Sequence, residues 1–330
     1  MKAIVYTEYG PPDVLQLKDV EKPTPKVDEV LVRIYAASVN FNDWTFVRGK
    51  PFLTRLMYTG LFKPINPILG VDIAGRIEVV GKNVTQFQPG DDVFGDIFEH
   101  GLGAFAEYVC LPEEGAVAMK PANLTFEEAA AVPAAAVTAL QGLRDQGQIQ
   151  PGQKVVIIGA SGGNGMFAVQ IAKSFGAEVT GVCSTRNLEM VRSIGADQVI
   201  DYTQEDFTKS GQRYDLILDI AAKGSISDYK HALSPKGIYV LCGFTMAAMF
   251  GVLFLGPRIS KTSGMKFVNY GVKPNKKDLV IMKELIEAGK VVPVIDRRYP
   301  LSEVADAIRY YEKGHAQGKV VITVAHSSNT

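Results

Sequence analysis

The chain has 330 residues, 47% of them apolar, which is enough to bury the cores of two domains. Lysine plus arginine and aspartate plus glutamate number 35 each, so the net charge of zero draws the chain to neither nucleic acid nor a charged membrane surface. Cys110, Cys183 and Cys242 are an odd, widely spaced set with no C-x-x-C pair, which argues against a disulfide framework and a structural zinc site and for a reducing, cytoplasmic setting.

In chain order, residues 1–8 acquire a charge too early for a signal peptide and read as a first strand. Residues 1–125 then alternate short strands, such as 29–34 and 75–80, with Gly/Pro/Asp turns such as 88–92, the pattern of an all-β, barrel-like domain. The run Val155-Val156-Ile157-Ile158 has no polar residue, so both faces of that strand are covered. A glycine turn follows, Gly159-Ala160-Ser161-Gly162-Gly163-Asn164-Gly165, and then a helical stripe of Phe167, Ala168, Ile171 and Ala172. Strand, glycine turn and helix start are where a dinucleotide pyrophosphate sits, because glycines admit the phosphates and the helix end offers free N–H groups. Apolar runs at 178–183, 198–200, 216–218 and 238–241, separated by helical periods such as 188–194, predict a doubly wound parallel sheet.

The most apolar stretch, 244–257, is too short for a membrane span of ~20 residues, and Pro257 is expected to end it. It reads as an interface segment or an apolar wall over a substrate pocket. Helices are expected over 277–286 and 301–308, and a last strand over 319–324. The cofactor choice is read at the end of the second strand. NAD-binding folds place an acid about 20 residues after the glycine turn, whereas Cys183-Ser184-Thr185-Arg186-Asn187 has none. Ser184 and Arg186 can donate to a 2′-phosphate, so NADPH is the expected cofactor; the alternative is that Arg186 is a solvated helix-start residue.

The order of Pro89-Gly90-Asp91-x-Val93, Gly103-x-Phe105-Ala106-Glu107-Tyr108, Pro151-Gly152-Gln153-Lys154-Val155 and Gly162-Gly163-Asn164-Gly165 resembles the medium-chain dehydrogenase/reductase superfamily, specifically its zinc-free quinone oxidoreductase, zeta-crystallin-like branch. The resemblance covers essentially the whole chain. It implies a discontinuous GroES-like catalytic domain (1–125 and 273–330), a Rossmann-type cofactor domain (126–272), a cleft between them and a homodimer. It also implies a cofactor set of Ala160, Ser161, Gly162, Gly163, Asn164, Gly165, Ser184, Arg186, Tyr202 and Gly243.

Zinc-dependent members carry a Cys within the segment that reads Val39-Asn40-Phe41-Asn42-Asp43 here, a His-Glu pair at Gly70-Val71-Asp72, and another Cys near Ala134. With Asn40, Val71 and Ala134 in those places, the resemblance implies no metal site. Without a Lewis acid, an isolated carbonyl is a poor hydride acceptor, while a quinone or α,β-unsaturated carbonyl spreads the charge to a remote oxygen. An apolar conjugated acceptor is therefore the expected substrate, with Asn40 the expected catalytic residue. In the substrate pocket Trp44 is a candidate aromatic wall and Tyr58 a candidate phenol, each also readable as packing, and Asp43 reads as a helix-capping carboxylate. Two other readings stay open: a non-catalytic NADPH-binding protein and, more weakly, an alcohol or aldehyde oxidoreductase.

Overall fold

The structure, a computed structural model, describes residues 1–243 and 245–326, the side chain of Met246 excepted. Phe244, the first residue of the apolar stretch noted above, lies outside the described residues. The chain divides into two compact units: Met1–Ala134 with Pro274–Glu287 and Pro293–Thr330, and Ala135–Lys273 with Ala288–Val292.

Besides the separate antiparallel pair Lys2–Val5 and Gln16–Asp19, the first unit is built on one large sheet. Its strands run in the order Ile295–Pro300, Lys319–Thr323, Glu29–Val39, Asp72–Val80, Asp92–Asp96 and Val117–Met119, with Tyr108–Pro112 also paired to Glu29–Val39. The Glu29–Val39 strand is the hub: one stretch pairs Val39 with Val320, and another pairs Ser38 with Asp72. Flanked on both edges, its last four residues, Ala36, Ala37, Ser38 and Val39, are all buried. Ile34, Ile73, Ile77, Phe105 and Leu111 fill the core beneath it. The β-rich expectation for residues 1–125 agrees with this sheet, and the C-terminal strand that completes it comes from nearly three hundred residues away, Val320 on Val39.

The second unit is a six-stranded sheet in the order Gln198–Asp201, Glu178–Cys183, Lys154–Ile158, Tyr214–Asp219, Leu233–Leu241 and Lys266–Asn269. All its pairings are parallel. The chain starts at the middle strand, builds outward through two neighbours, and returns to build outward on the other side, as in a doubly wound fold. The order reverses between Lys154–Ile158 and Tyr214–Asp219, and ligands of such sheets bind at the carboxyl ends there. Helix Gly163–Ser174 packs back on the sheet with Met166, Phe167, Ala168, Val169, Ile171 and Ala172 fully buried.

One expectation is corrected. The helix after the fifth strand runs Met246–Ser263 and passes through Pro257 instead of ending there. Proline removes the N–H that would bond the carbonyl of Leu253. Leu253 is on the exposed side of the helix, where water can bond its carbonyl, so the break is tolerated.

Candidate active site

The glycine turn is shaped by backbone contacts that leave no room for a side chain at Gly165. Gly159 takes φ +85°, a left-handed conformation that favours glycine, and the amides of Gly159 and Ala160 both donate to the carbonyl of Val182. A Cβ on Gly165 would sit 2.1 Å from the Gly159 carbonyl oxygen, so the helix can approach the strand only without one. Gly162 is different: at φ −80° its Cβ would meet nothing closer than that same oxygen at 3.5 Å. Its glycine character serves no packing need of the chain and fits an approaching phosphate. Gly163, Asn164 and Gly165 open the helix, where amides have no intrahelical acceptor and the dipole favours an anion.

The end of the Glu178–Cys183 strand is tied to this turn. The Asn187 side chain, 5% exposed, donates to the Ser161 hydroxyl at 2.8 Å and the Ser184 hydroxyl at 3.3 Å. Arg186 stands exposed beside it, and Tyr202, 57% exposed, donates its backbone N–H to the carbonyl of Cys183 at 3.1 Å. Asp201 is the acid of this region. One oxygen accepts from the Thr185 hydroxyl at 2.5 Å and the other from the Thr203 amide and hydroxyl, bonds that lower its pKa and occupy its acceptor sites. Gly243 follows the fifth strand, its N–H on the carbonyl of Asp219 and its Cβ position 2.2 Å from the carbonyl oxygen of Ile220. The structure thus brings the residues of the expected cofactor set to the carboxyl ends of the parallel strands.

In the first unit, Asn40 sits just ahead of helix Phe41–Arg48 and belongs to a buried polar cluster. Its Nδ2 donates to Asp72 at 2.8 Å and, at a long 3.4 Å, to the Ser38 carbonyl; its Oδ1 accepts from the Lys319 ammonium at 2.5 Å. Asp72 also accepts from the Ser38 hydroxyl at 2.7 Å and the Ala134 amide at 2.8 Å, and lies 3.4 Å from Lys319. Side-chain exposures of 3% for Lys319 and 0% for Asp72 make this a buried ion pair, of a kind whose breaking costs about 3–5 kcal/mol.

Asp43 caps the helix, as its position suggested: it accepts from the Asn40 amide at 2.7 Å and the Gly70 amide at 3.0 Å. Burial pushes its carboxyl up to about 7, against the pull of the Asn40 amide. Asp96, next to Asp72 in the sheet, is likewise raised by burial and then by the Asp72 charge.

Trp44 is half-buried against the core, with Phe41 edge-on at 5.4 Å. Tyr58 is 52% exposed and lies beside Phe46 and Phe98, with ring centroids at 6.2 Å and 5.8 Å. Among the described residues no group of three or more His, Cys, Asp or Glu is arranged to hold a metal ion. Nor is any helix among them long and apolar enough to cross a membrane.

Residues 26–121 match the alcohol dehydrogenase GroES-like domain, and residues 194–322 match the family described as zinc-binding dehydrogenase. Over 98% of its length the chain is 37% identical to 2-methylene-furan-3-one reductase of Solanum lycopersicum, covering 79% of that protein. The chain belongs to the medium-chain dehydrogenase/reductase superfamily, in its quinone oxidoreductase and alkenal/one reductase branch. The chain is also 34% identical, with the same coverages, to the chloroplastic NADPH-dependent alkenal/one oxidoreductase of Arabidopsis thaliana. Among solved structures it is similar to the quinone oxidoreductase of Coxiella burnetii, with a TM-score of 0.84, 29% identity, and 98% and 99% of the two chains covered.

Lys319, Asp72, Ser38 and Asn187 carry little signal in the sequence. Lys319 opens what looks like an ordinary last strand, and it reaches Asn40 across 279 positions, which no local pattern reveals. Asn187 had a weak signal, an amide at a helix start inside the Ser184–Arg186 run.

Proposed function

We propose that this protein is an NADPH-dependent reductase that passes hydride to the electron-poor carbon of an apolar conjugated acceptor, an α,β-unsaturated carbonyl or a quinone. The observation that carries this reading is the Asn40 carboxamide, held in a buried network that contains a cation but no set of metal ligands. The full-length relatives named for alkenal/one and 2-methylene-furan-3-one reduction support it.

When bound, NADPH supplies the hydride. The Gly163–Gly165 amides and Arg186 bind its phosphates, with Ser184 and Tyr202 beside the adenosine. Arg186 and the occupied acceptor sites of Asp201 favour a 2′-phosphate over a ribose hydroxyl. Asn40 contacts the acceptor or the nicotinamide ribose through the Nδ2 hydrogen that Ser38 holds only at 3.4 Å. As the hydride arrives at carbon, negative charge grows on the remote oxygen, where the partial positive charge of the amide N–H opposes it until solvent delivers a proton. Trp44 and Tyr58 supply apolar wall. The protein acts in a reducing compartment, with Cys110, Cys183 and Cys242 unpaired, and as a homodimer for which exposed Phe250, Leu253 and Phe254 offer an apolar face.

The test is NADPH consumption against matched acceptors with product identification. An enone or a quinone should be reduced at least about 100-fold faster than the corresponding saturated ketone, the size of one lost electrostatic stabilisation, and chelators should leave the rate unchanged. Equal rates on the saturated analogue, chelator-sensitive turnover, or NADPH binding without any turnover would each overturn the assignment.

A further inference from the structure

An asparagine side chain can be turned end for end at little steric cost, exchanging a donor for an acceptor. At Asn40 the surroundings forbid it. The Lys319 ammonium can only donate, so Oδ1 must face it at 2.5 Å; the Asp72 carboxylate can only accept, so Nδ2 must face it at 2.8 Å. The opposite orientation would set an NH2 group against an ammonium and a carbonyl oxygen against a carboxylate. Lys319 is itself held: Nζ also reaches the Val39 carbonyl at 3.3 Å and Asp72 at 3.4 Å, which uses its three hydrogens. Its backbone is set by Gly318 at φ +92°, where a Cβ would lie 2.3 Å from the Val294 carbonyl oxygen, and by its own N–H on that carbonyl at 2.9 Å.

We propose that Lys319 is a positioning residue for the reduction: its ammonium, paired with Asp72, locks the Asn40 carboxamide with nitrogen as the end left to donate. The proposal rests on the reading above in which Asn40 donates to the acceptor. Lys319 has no hydrogen left for the acceptor, so it acts through Asn40 and by polarising that amide, withdrawing electron density at Oδ1 and so strengthening the Nδ2 donor.

The experiment is a cycle of Lys319→Met, Asn40→Ala and the double variant, with NADPH affinity, kcat, KM and thermal unfolding measured for each. Lys319→Met should lower kcat about 100-fold with NADPH affinity held within about twofold, because a misplaced reacting group costs rate and not cofactor binding. In the Asn40→Ala background the same substitution should cost less than about threefold, the non-additivity of residues that act as a unit. Additive losses, or wild-type kcat in Lys319→Met, would overturn the proposal.

Lys319→Met leaves Asp72 buried without its countercharge, so a variant that does not fold is replaced by Asp72→Asn/Lys319→Met, which buries no charge. That variant should regain thermal stability and stay slow; recovery of both would make Lys319 merely structural. A readout independent of turnover separates this proposal from the assigned activity. In 15N-asparagine-labelled protein the Asn40 side-chain amide pair, identified by its loss in Asn40→Ala, should shift and exchange faster in Lys319→Met, and an unchanged pair overturns the proposal even if the enzyme is active.

Discussion

Alanine at Gly165 is expected to destabilise the cofactor unit, whereas alanine at Gly162 is expected to leave the fold intact and weaken NADPH binding alone. At Gly165 the added methyl would lie 2.1 Å from the Gly159 oxygen and 2.8 Å from Ala160 backbone atoms, which cannot yield as a flexible side chain would. Overpacking of this kind costs about 1–3 kcal/mol or more. For a unit of this size each kcal/mol moves the midpoint about 2–4 °C, so thermal unfolding should fall by roughly 2–12 °C. At Gly162 the nearest atom is 3.5 Å away and φ is −80°, so the chain itself accepts the methyl and unfolding should move by less than about 2 °C. The methyl instead stands where a phosphate would approach, and NADPH affinity should drop about tenfold or more, the value of one lost charge-assisted hydrogen bond. Wild-type NADPH affinity in Gly162→Ala would remove the phosphates from this turn. Unchanged unfolding of Gly165→Ala would show that the helix–strand approach is looser than its contacts indicate.

Arg186→Glu should reverse or abolish the preference for NADPH over NADH. A charge-assisted hydrogen bond to the 2′-phosphate is worth about 1.5–3 kcal/mol, and a carboxylate in its place adds repulsion, so NADPH should bind at least about tenfold more weakly. NADH, with a hydroxyl where NADPH has the phosphate, should suffer far less. Asp201 does not step in as ribose acceptor, because Thr185 and Thr203 hold both of its oxygens. The measurement is the ratio of the two affinities in wild type and variant at one ionic strength, since exposed phosphate contacts are screened by salt. A wild-type preference for NADH, or a ratio untouched by the substitution, would make Arg186 a solvated helix-start residue.

The strand, turn and helix of the glycine motif are readable in the chain because they are close in sequence. One strand, one turn and one helix carry the glycines, and the periodicities of two and 3.6 residues announce what flanks them. Even there the sequence does not tell Gly162 from Gly165, and only the contacts separate them: a Cβ on Gly165 would meet the protein's own backbone at 2.1 Å, whereas one on Gly162 would meet nothing closer than 3.5 Å. The helix that holds residues 246–257 continues past Pro257 to Ser263, although proline usually ends a helix. A helix bordering open space can lose one N–H and continue, and exposure is not a local property of sequence.

Asn40 could be picked out by its motif, and Asp43 by its place at a helix start. What the chain could not disclose by itself is what Asn40 faces. That depends on strand register: Ser38 opposite Asp72, and Val39 opposite Val320, bring Asp72 and Lys319 to the same amide from 32 and 279 positions away. A register slip of one residue would turn these side chains to the other face of the sheet. The sequence alone determined that there would be a glycine turn between a buried strand and a helix, a parallel sheet, and an asparagine just ahead of a helix start. Only the tertiary structure decided that a buried lysine and aspartate would orient that asparagine, because the charges meet through pairings no local pattern encodes.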